Sequence, residues 1–324
     1  MMKKIVFSKA GGPEVLEYVD ADLAPPAAGE VRIRHTAIGL NYVDTYYRSG
    51  LYPAPMPSGL GNEAAGVIEE LGQGVKGFKV GDRVAYGSGP LGSYAQARNF
   101  PANRLVKLPK AISDETAAAK MLKGMTVRYL LRTTFKVKRG QFILMHAAAG
   151  GVGLIMSQWA KSLGVKVIGT AGSSEKMEMA LAHGCTHVIN NRNEDVAARV
   201  REITKGKGVP VVYDSVGQAT LQASLDSLAP RGLLVSFGNA SGPIKDFQLG
   251  VLAAKGSLYV TRPTLYSYIA TDKEFKETAD DLINVVKSGK VKIAINQRYA
   301  LADVAQAHRD LEGGKTTGST ILRL

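Results

Sequence analysis

Residues 147 to 153 read AAAGGVG and separate the apolar run Phe142–Met145 from a long helical pattern. A stretch with almost no side chains at that place lets the chain turn from strand to helix within a few residues and leaves its backbone open to close approach. Ala147, Gly150 and Gly153 read as a dinucleotide-binding fingerprint whose first Gly is replaced by Ala. The helical pattern Val152 to Leu163 that follows aims its N-terminal amides and the positive end of its dipole at a pyrophosphate. On this reading the missing side chain at Gly150 lets a pyrophosphate approach the backbone.

A lone glycine turn is weak; its surroundings strengthen it. From about residue 125, short β-branched or apolar runs alternate with helical patterns: Phe142 to His146, Lys166 to Thr170, His187 to Asn190, Val211 to Asp214, Leu233 to Phe237 and Ser257 to Thr261. That rhythm predicts βαβ units and an α/β fold with a doubly wound parallel sheet of the Rossmann kind. Before residue 120, strand candidates are separated by Gly, Pro and Asn: KKIVF, Glu30 to Ala37, Ala64 to Leu71, Gly81 to Tyr86 and Ser93 to Ala97. They predict a β-rich, partly barrel-like domain. A chain of 324 residues exceeds the usual size of a single core. The expected division is 1–124 as the β-rich domain and 125–264 as the dinucleotide-binding domain. Residues 265–324, with a helix over Asp272 to Ser288 and a strand over Thr320 to Leu324, return to the first.

Composition narrows the chemistry. Cys185 is the only cysteine, which excludes an intrachain disulfide and any zinc site of several thiolates. The formal net charge of +13 favours anionic partners, but the basic residues are scattered, which argues for a solvated basic surface over nucleic acid. No apolar run reaches membrane-spanning length, and MMKKIVFSKAGG has too short an apolar stretch for a signal peptide, so a cytoplasmic chain is expected.

The end of the second parallel strand bears on the cofactor. Enzymes that use NAD place an Asp or Glu there for the ribose hydroxyls. Here the chain reads Thr170-Ala171-Gly172-Ser173-Ser174-Glu175-Lys176, with no acid ending the strand. Ser173 and Lys176 can donate to a 2′-phosphate and Arg192 follows the next strand, which favours NADPH over NADH.

The stretch GQFILMHAAAGGVGLIMSQWAK from Gly140 resembles the signature of the quinone oxidoreductase and zeta-crystallin family, within the medium-chain dehydrogenases. The likeness continues in GLNYVDTYYRSGLYP from Gly39, GNEAAGVIEELGQGVKGFKVGDRVAY from Gly61, VVYDSVG from Val211 and SFGNASG from Ser236, and so covers nearly the whole chain. It implies a GroES-like catalytic domain beside the Rossmann domain, with the nicotinamide in the cleft between them and a homodimer through the Rossmann domains. Zinc alcohol dehydrogenases of the superfamily place a Cys where this chain has Asn41 and a His where it has Asn62, so zinc chemistry is not expected.

The resemblance places Asn41, Tyr46 and Tyr52 at the acceptor, with Asn41 also toward the nicotinamide. It places Thr126 at the nicotinamide, Gly151 and Val152 at the pyrophosphate, and Ser215, Val216, Phe237, Gly238 and Asn239 along the ligand side of the strand ends, while Gly172 adjoins Ser173 in the loop read above as meeting the 2′-phosphate. Many relatives carry a Tyr before the Arg of an I-N-Y-R segment; Ile189-Asn190-Asn191-Arg192 keeps a donor at Asn191 and loses the ring. The implied activity is NADPH-dependent, zinc-independent reduction of quinones. Reduction of the double bond of enals or enones, and a crystallin-like RNA-binding role with little turnover, are the competing expectations.

Overall fold

A computed structural model of the chain describes residues Met1–Leu324, which fall into two compact units. Unit one comprises Met1–Met125, Ile269–Lys287 and Ile293–Leu324; unit two comprises Thr126–Tyr268 and Ser288–Lys292. No helix is long and apolar enough to cross a membrane.

In chain order the first part of unit one contains β1 (Met2–Phe7), β2 (Glu17–Ala21), β3 (Glu30–Leu40), α1 (Tyr42–Arg48), β4 (Ser58–Gly59), β5 (Glu63–Leu71), β6 (Arg83–Tyr86), β7 (Ala97–Pro101), β8 (Val106–Lys107) and α2 (Asp114–Ala118). Helix α3 (Met121–Tyr129) leads into unit two, which holds β9 (Phe142–Met145), α4 (Gly151–Ser162), β10 (Lys166–Ala171), α5 (Ser174–Ala182), β11 (His187–Asn190), α6 (Val196–Ile203), β12 (Val209–Asp214), α7 (Leu221–Ser227), β13 (Leu228–Ser236), α8 (Gly250–Ala254), β14 (Tyr259–Thr261) and α9 (Leu265–Tyr268). Unit one resumes with α10 (Asp272–Lys287), β15 (Ile295–Ala300), α11 (Val304–Glu312) and β16 (Ser319–Arg323).

Strand β3 organises unit one, pairing antiparallel with β5, β7 and β16 in a seven-stranded sheet. Its alternation explains the role: Val31, Ile33, His35 and Ala37 turn inward while Arg34 and Thr36 face water. Toward its end both faces are buried, and at Gly39 a Cβ would stand 2.1 Å from the Ala118 carbonyl and 2.4 Å from Glu63 Oε2. Only glycine fits there. Ile33, Ile38, Ile68, Val84, Tyr86, Phe100 and Leu322 form the centre of the core.

The sheet of unit two is parallel throughout, in the order β11-β10-β9-β12-β13-β14. The chain starts in the middle at β9, winds outward to β11, and returns on the other side of β9 as β12. The strand order therefore reverses between β9 and β12, the place where open α/β sheets bind ligands. Leu144, Ile168, Ile189, Val212 and Leu234 are fully or almost fully buried, as strands covered on both faces require. Trp159, the one tryptophan, lies buried on α4.

The sequence expectation is met in outline and shifted in detail. The helix after the glycine turn begins at Gly151 and ends at Ser162, β3 runs on to Leu40, and β6 begins at Arg83 because Gly81 turns with φ +88°. Ser93 to Ala97 is not the strand; Ala97–Pro101 is. The reason is a divided set of partners: Ser93 and Tyr94 amides bond back to Gly61 and Leu60, while the Gln96 amide bonds to Lys3, so a ladder starts only at Ala97.

Candidate active site

The turn after β9 is held from below by β10. Ala147 takes φ +55°, a conformation costly for any residue but glycine, and its amide donates to Thr170 Oγ1 at 3.3 Å. The Ala148 amide donates to the Thr170 carbonyl at 2.9 Å. Counting back from Gly150, the G-x-G spacing falls on Ala148 rather than Ala147. Ala148 is tolerated because the strand beneath it offers Gly169, where an added Cβ would meet the Ala148 methyl at 2.6 Å. Gly153 has no such relief: a Cβ there would stand 2.5 Å from the Ala148 carbonyl. Helix α4 starts on Gly150 with no side-chain cap and no acid in its first turn, which leaves its first amides for an anion.

A directional hydrogen-bond chain joins this turn to the one after β12. Ser224 Oγ donates its single hydrogen to Asp214 Oδ2 at 2.7 Å, so the contact of 3.0 Å to His146 Nε2 requires the imidazole to donate. His146 Nδ1, 3.2 Å from Thr170 Oγ1, is then the acceptor. Burial holds the His146 pKa below its ordinary value, consistent with a neutral ring. Asp214 Oδ1 accepts the Val216 and Gly217 amides at 2.8 and 3.0 Å. The loops after β12 and β13 are tied as well: Phe237 N–H donates to the Asp214 carbonyl at 2.8 Å and Ser241 N–H to that of Val216 at 2.8 Å. A Cβ on Gly238 would sit 2.3 Å from the Ser215 carbonyl. Ser215, Val216, Phe237, Gly238 and Asn239 thus occupy two adjoining loops at the carboxyl ends of β12 and β13.

At the end of β10, Ala171 is in register with Asn190 of β11. Gly172 follows, with Arg192 Nε 3.1 Å and Asn191 Oδ1 3.5 Å from where its Cβ would be. Ser173 caps α5, its hydroxyl oxygen accepting the Lys176 amide at 3.4 Å. Gly172, Ser173, Asn191 and Arg192 are therefore one cluster, with half-buried Lys176 in the first turn of α5 and the Arg192 guanidinium exposed. Thr126 is buried on α3.

In unit one Asn41 caps α1 through a reciprocal capping box with Asp44, and its Nδ2 donates to Glu63 Oε2 at 2.7 Å. Asn62 Nδ2 donates to Asp44 Oδ1 at 3.1 Å, and Tyr94 OH donates to Asp44 Oδ2 at 2.7 Å. Tyr94 has spent its hydrogen, so His308 Nε2 at 3.2 Å must donate to it, while His308 Nδ1 takes Arg48 Nη1 at 3.1 Å. Burial and Arg48 lower the His308 pKa to about 3, and burial raises that of Asp44 to about 6 against the donors around it. Buried Lys123 pairs with fully buried Glu63 at 3.2 Å. On α1, Tyr46 packs edge-on against Tyr52 with ring centroids 5.2 Å apart. Lys120, between α2 and α3, is fully buried; its ammonium nitrogen has no hydrogen-bond partner, and burial pushes its pKa down to about 7.

Both Asn41 and Asn62 spend amide hydrogens on carboxylates, and neither offers the thiolate or imidazole that a zinc ion takes. The pair does not fit the metal. The residues sequence reasoning missed, Asp44, Glu63, Tyr94, Lys123 and His308, are brought together by pairing over long separations. One local signal was present: N-x-x-D at 41 to 44 announces a helix cap.

A parallel nucleotide-type sheet with its glycine turn, joined in one chain to a β-rich unit with a buried polar cluster, defines a medium-chain dehydrogenase/reductase. Residues 27–110 match the family described as alcohol dehydrogenase GroES-like domain, and residues 151–284 that described as zinc-binding dehydrogenase. A quinone oxidoreductase of Pseudomonas aeruginosa is 57% identical over 99% of both chains. The crystal structure of Escherichia coli quinone oxidoreductase complexed with NADPH superimposes with a TM-score of 0.98 at 51% identity, covering 99% of this chain and 100% of that one. A 2-haloacrylate reductase of Burkholderia is 46% identical over 99% of both. The chain belongs to the quinone oxidoreductase family.

Proposed function

We propose that this chain is an NADPH-dependent quinone reductase of the cytoplasm that works without zinc. The observations that carry the reading are the cluster Gly172–Ser173–Asn191–Arg192, with no acid ending its strand and the nearby Glu175 carboxylate engaged by Ser173, and the uncapped start of α4, in a chain alike over its full length to quinone oxidoreductases. Gly150, Gly151 and Val152 take the pyrophosphate on the first amides of α4. Gly172, Ser173, Lys176, Asn191 and Arg192 surround the 2′-phosphate, and the absence of a strand-end acid spares it repulsion. Thr126, Ser215, Val216, Phe237, Gly238 and Asn239 guide the nicotinamide end.

Bound NADPH supplies the reducing electrons to the acceptor. The protein's share is orientation and hydrogen bonding: Asn41 donates to the acceptor oxygen, and Tyr46 and Tyr52 form an aromatic wall against its ring. The relative named as a 2-haloacrylate reductase supports a second reading, reduction of an activated carbon-carbon double bond. Two copies pair along β14, the edge strand of the sheet, whose Tyr259 is 61% exposed. NADPH oxidation measured across a series of quinones and enones, with NADH in parallel, tests the proposal. Turnover of quinones with a preference for NADPH is expected; turnover of enones alone would overturn the choice of acceptor.

A further inference from the structure

The amide of Asn41 has two hydrogens and the ammonium of Lys123 three. One Asn41 hydrogen goes to Glu63 Oε2 at 2.7 Å; two Lys123 hydrogens go to Glu63 Oε2 and the Leu40 carbonyl, both at 3.2 Å. Glu63 Oε1 accepts the Leu122 amide at 2.9 Å, and the backbone N–H of Glu63 is held by Ser93 Oγ at 3.2 Å. This carboxylate is fully buried, and the missing side chain at Gly39 makes room for it. A buried carboxylate is tolerated when a cation and several donors compensate it, and it then behaves as a rigid acceptor.

We propose that Glu63 and Lys123 are positioning residues for the reduction: the ion pair fixes the plane of the Asn41 amide, so that its second hydrogen is aimed at the acceptor oxygen. This rests on the reading of Asn41 as the donor to that oxygen. In this role Lys123 acts through Glu63, which holds the Asn41 amide. Its charge keeps the carboxylate compensated, and its bond to Leu40 anchors the pair to the end of β3, one residue before Asn41.

The test compares the full-length parent with Lys123→Met, Lys123→Arg, Glu63→Gln and Asn41→Ala, and with Lys123→Met combined with Asn41→Ala. Far-UV circular dichroism serves as the check on folding. Misplacing a donor by a fraction of an ångström predicts a fall in kcat with quinone of about tenfold to a hundredfold for Lys123→Met and Glu63→Gln, with the Kd for NADPH nearly unchanged. Lys123→Arg should keep most of the parental kcat. Where Asn41 is already alanine, Lys123→Met should cause little further loss, because the two act through one hydrogen bond. Equal losses from Lys123→Met in the presence and absence of the Asn41 amide would overturn the proposal, as would parental kcat in both Lys123→Met and Glu63→Gln. If Lys123→Met does not fold, Glu63→Gln, alone and with Asn41→Ala, decides by the same criterion. A parent that oxidises NADPH with no quinone would remove the functional reading itself, whereas quinone turnover indifferent to these variants removes only the positioning role.

Discussion

Replacing Lys120 by Met should stabilise the protein, and the gain should shrink as pH rises. Lys120 is fully buried with no partner for its nitrogen, and its pKa stands at about 7 in the folded chain. An unfolded lysine titrates near 10.4, so keeping the proton in the folded chain costs about 5 kcal/mol of stability wherever both states would otherwise carry it. The folded pKa lies below the unfolded one. Between about pH 7 and 10.4 the unfolded chain therefore binds more protons than the folded chain, and parental stability rises with pH through that window.

Methionine keeps the unbranched stem and removes the charge. Allowing about 1 to 2 kcal/mol for imperfect repacking, the variant should gain about 3 kcal/mol at pH 7. That advantage should fall by about 1.4 kcal/mol per pH unit from pH 7.5 upward. Urea unfolding followed by far-UV circular dichroism at pH 7, 8, 9 and 10 measures the difference; titrations common to both proteins cancel in it. A gap that does not change with pH, or a variant less stable than the parent throughout, would refute the reasoning and show that the ammonium is compensated where it lies.

Gly151→Val should abolish most NADPH affinity while circular dichroism stays parental, whereas Gly153→Ala should lower the melting temperature, since its new methyl meets the Ala148 carbonyl at 2.5 Å. Lys176→Ala should weaken NADPH by about tenfold and NADH little, because a charge-assisted contact to phosphate contributes roughly 1.5 kcal/mol or more. Adding Arg192→Ala should deepen the loss and flatten its salt dependence; equal losses for both cofactors by titration would return Lys176 to a role in the loop. Prolonged dialysis against a chelator should leave quinone turnover unchanged, and activity that returned only with added zinc would contradict the chemistry read from Asn41 and Asn62.

What was legible in the sequence is what local pattern controls. All six parallel runs carry β-branched residues between turns, and the glycine turn announces its own strand and helix. The polar cluster of unit one was not legible: Arg48 meets His308 across 260 residues and Lys123 meets Glu63 across 60, separations that only the sheet order closes. Gly39 shows the same limit from the other side. In sequence it is one small residue in GLNYVD; in the structure it is the space that admits a carboxylate.

Trp159 sits eight residues along α4 from Gly151, about 12 Å at the rise of a helix. A buried indole emits where reduced nicotinamide absorbs, and energy transfer between chromophores operates well beyond that distance. With no second tryptophan to dilute the signal, the protein carries its own optical gauge of cofactor occupancy. Quenching of indole emission with matching sensitised nicotinamide fluorescence would follow binding in real time, without a label and without turnover.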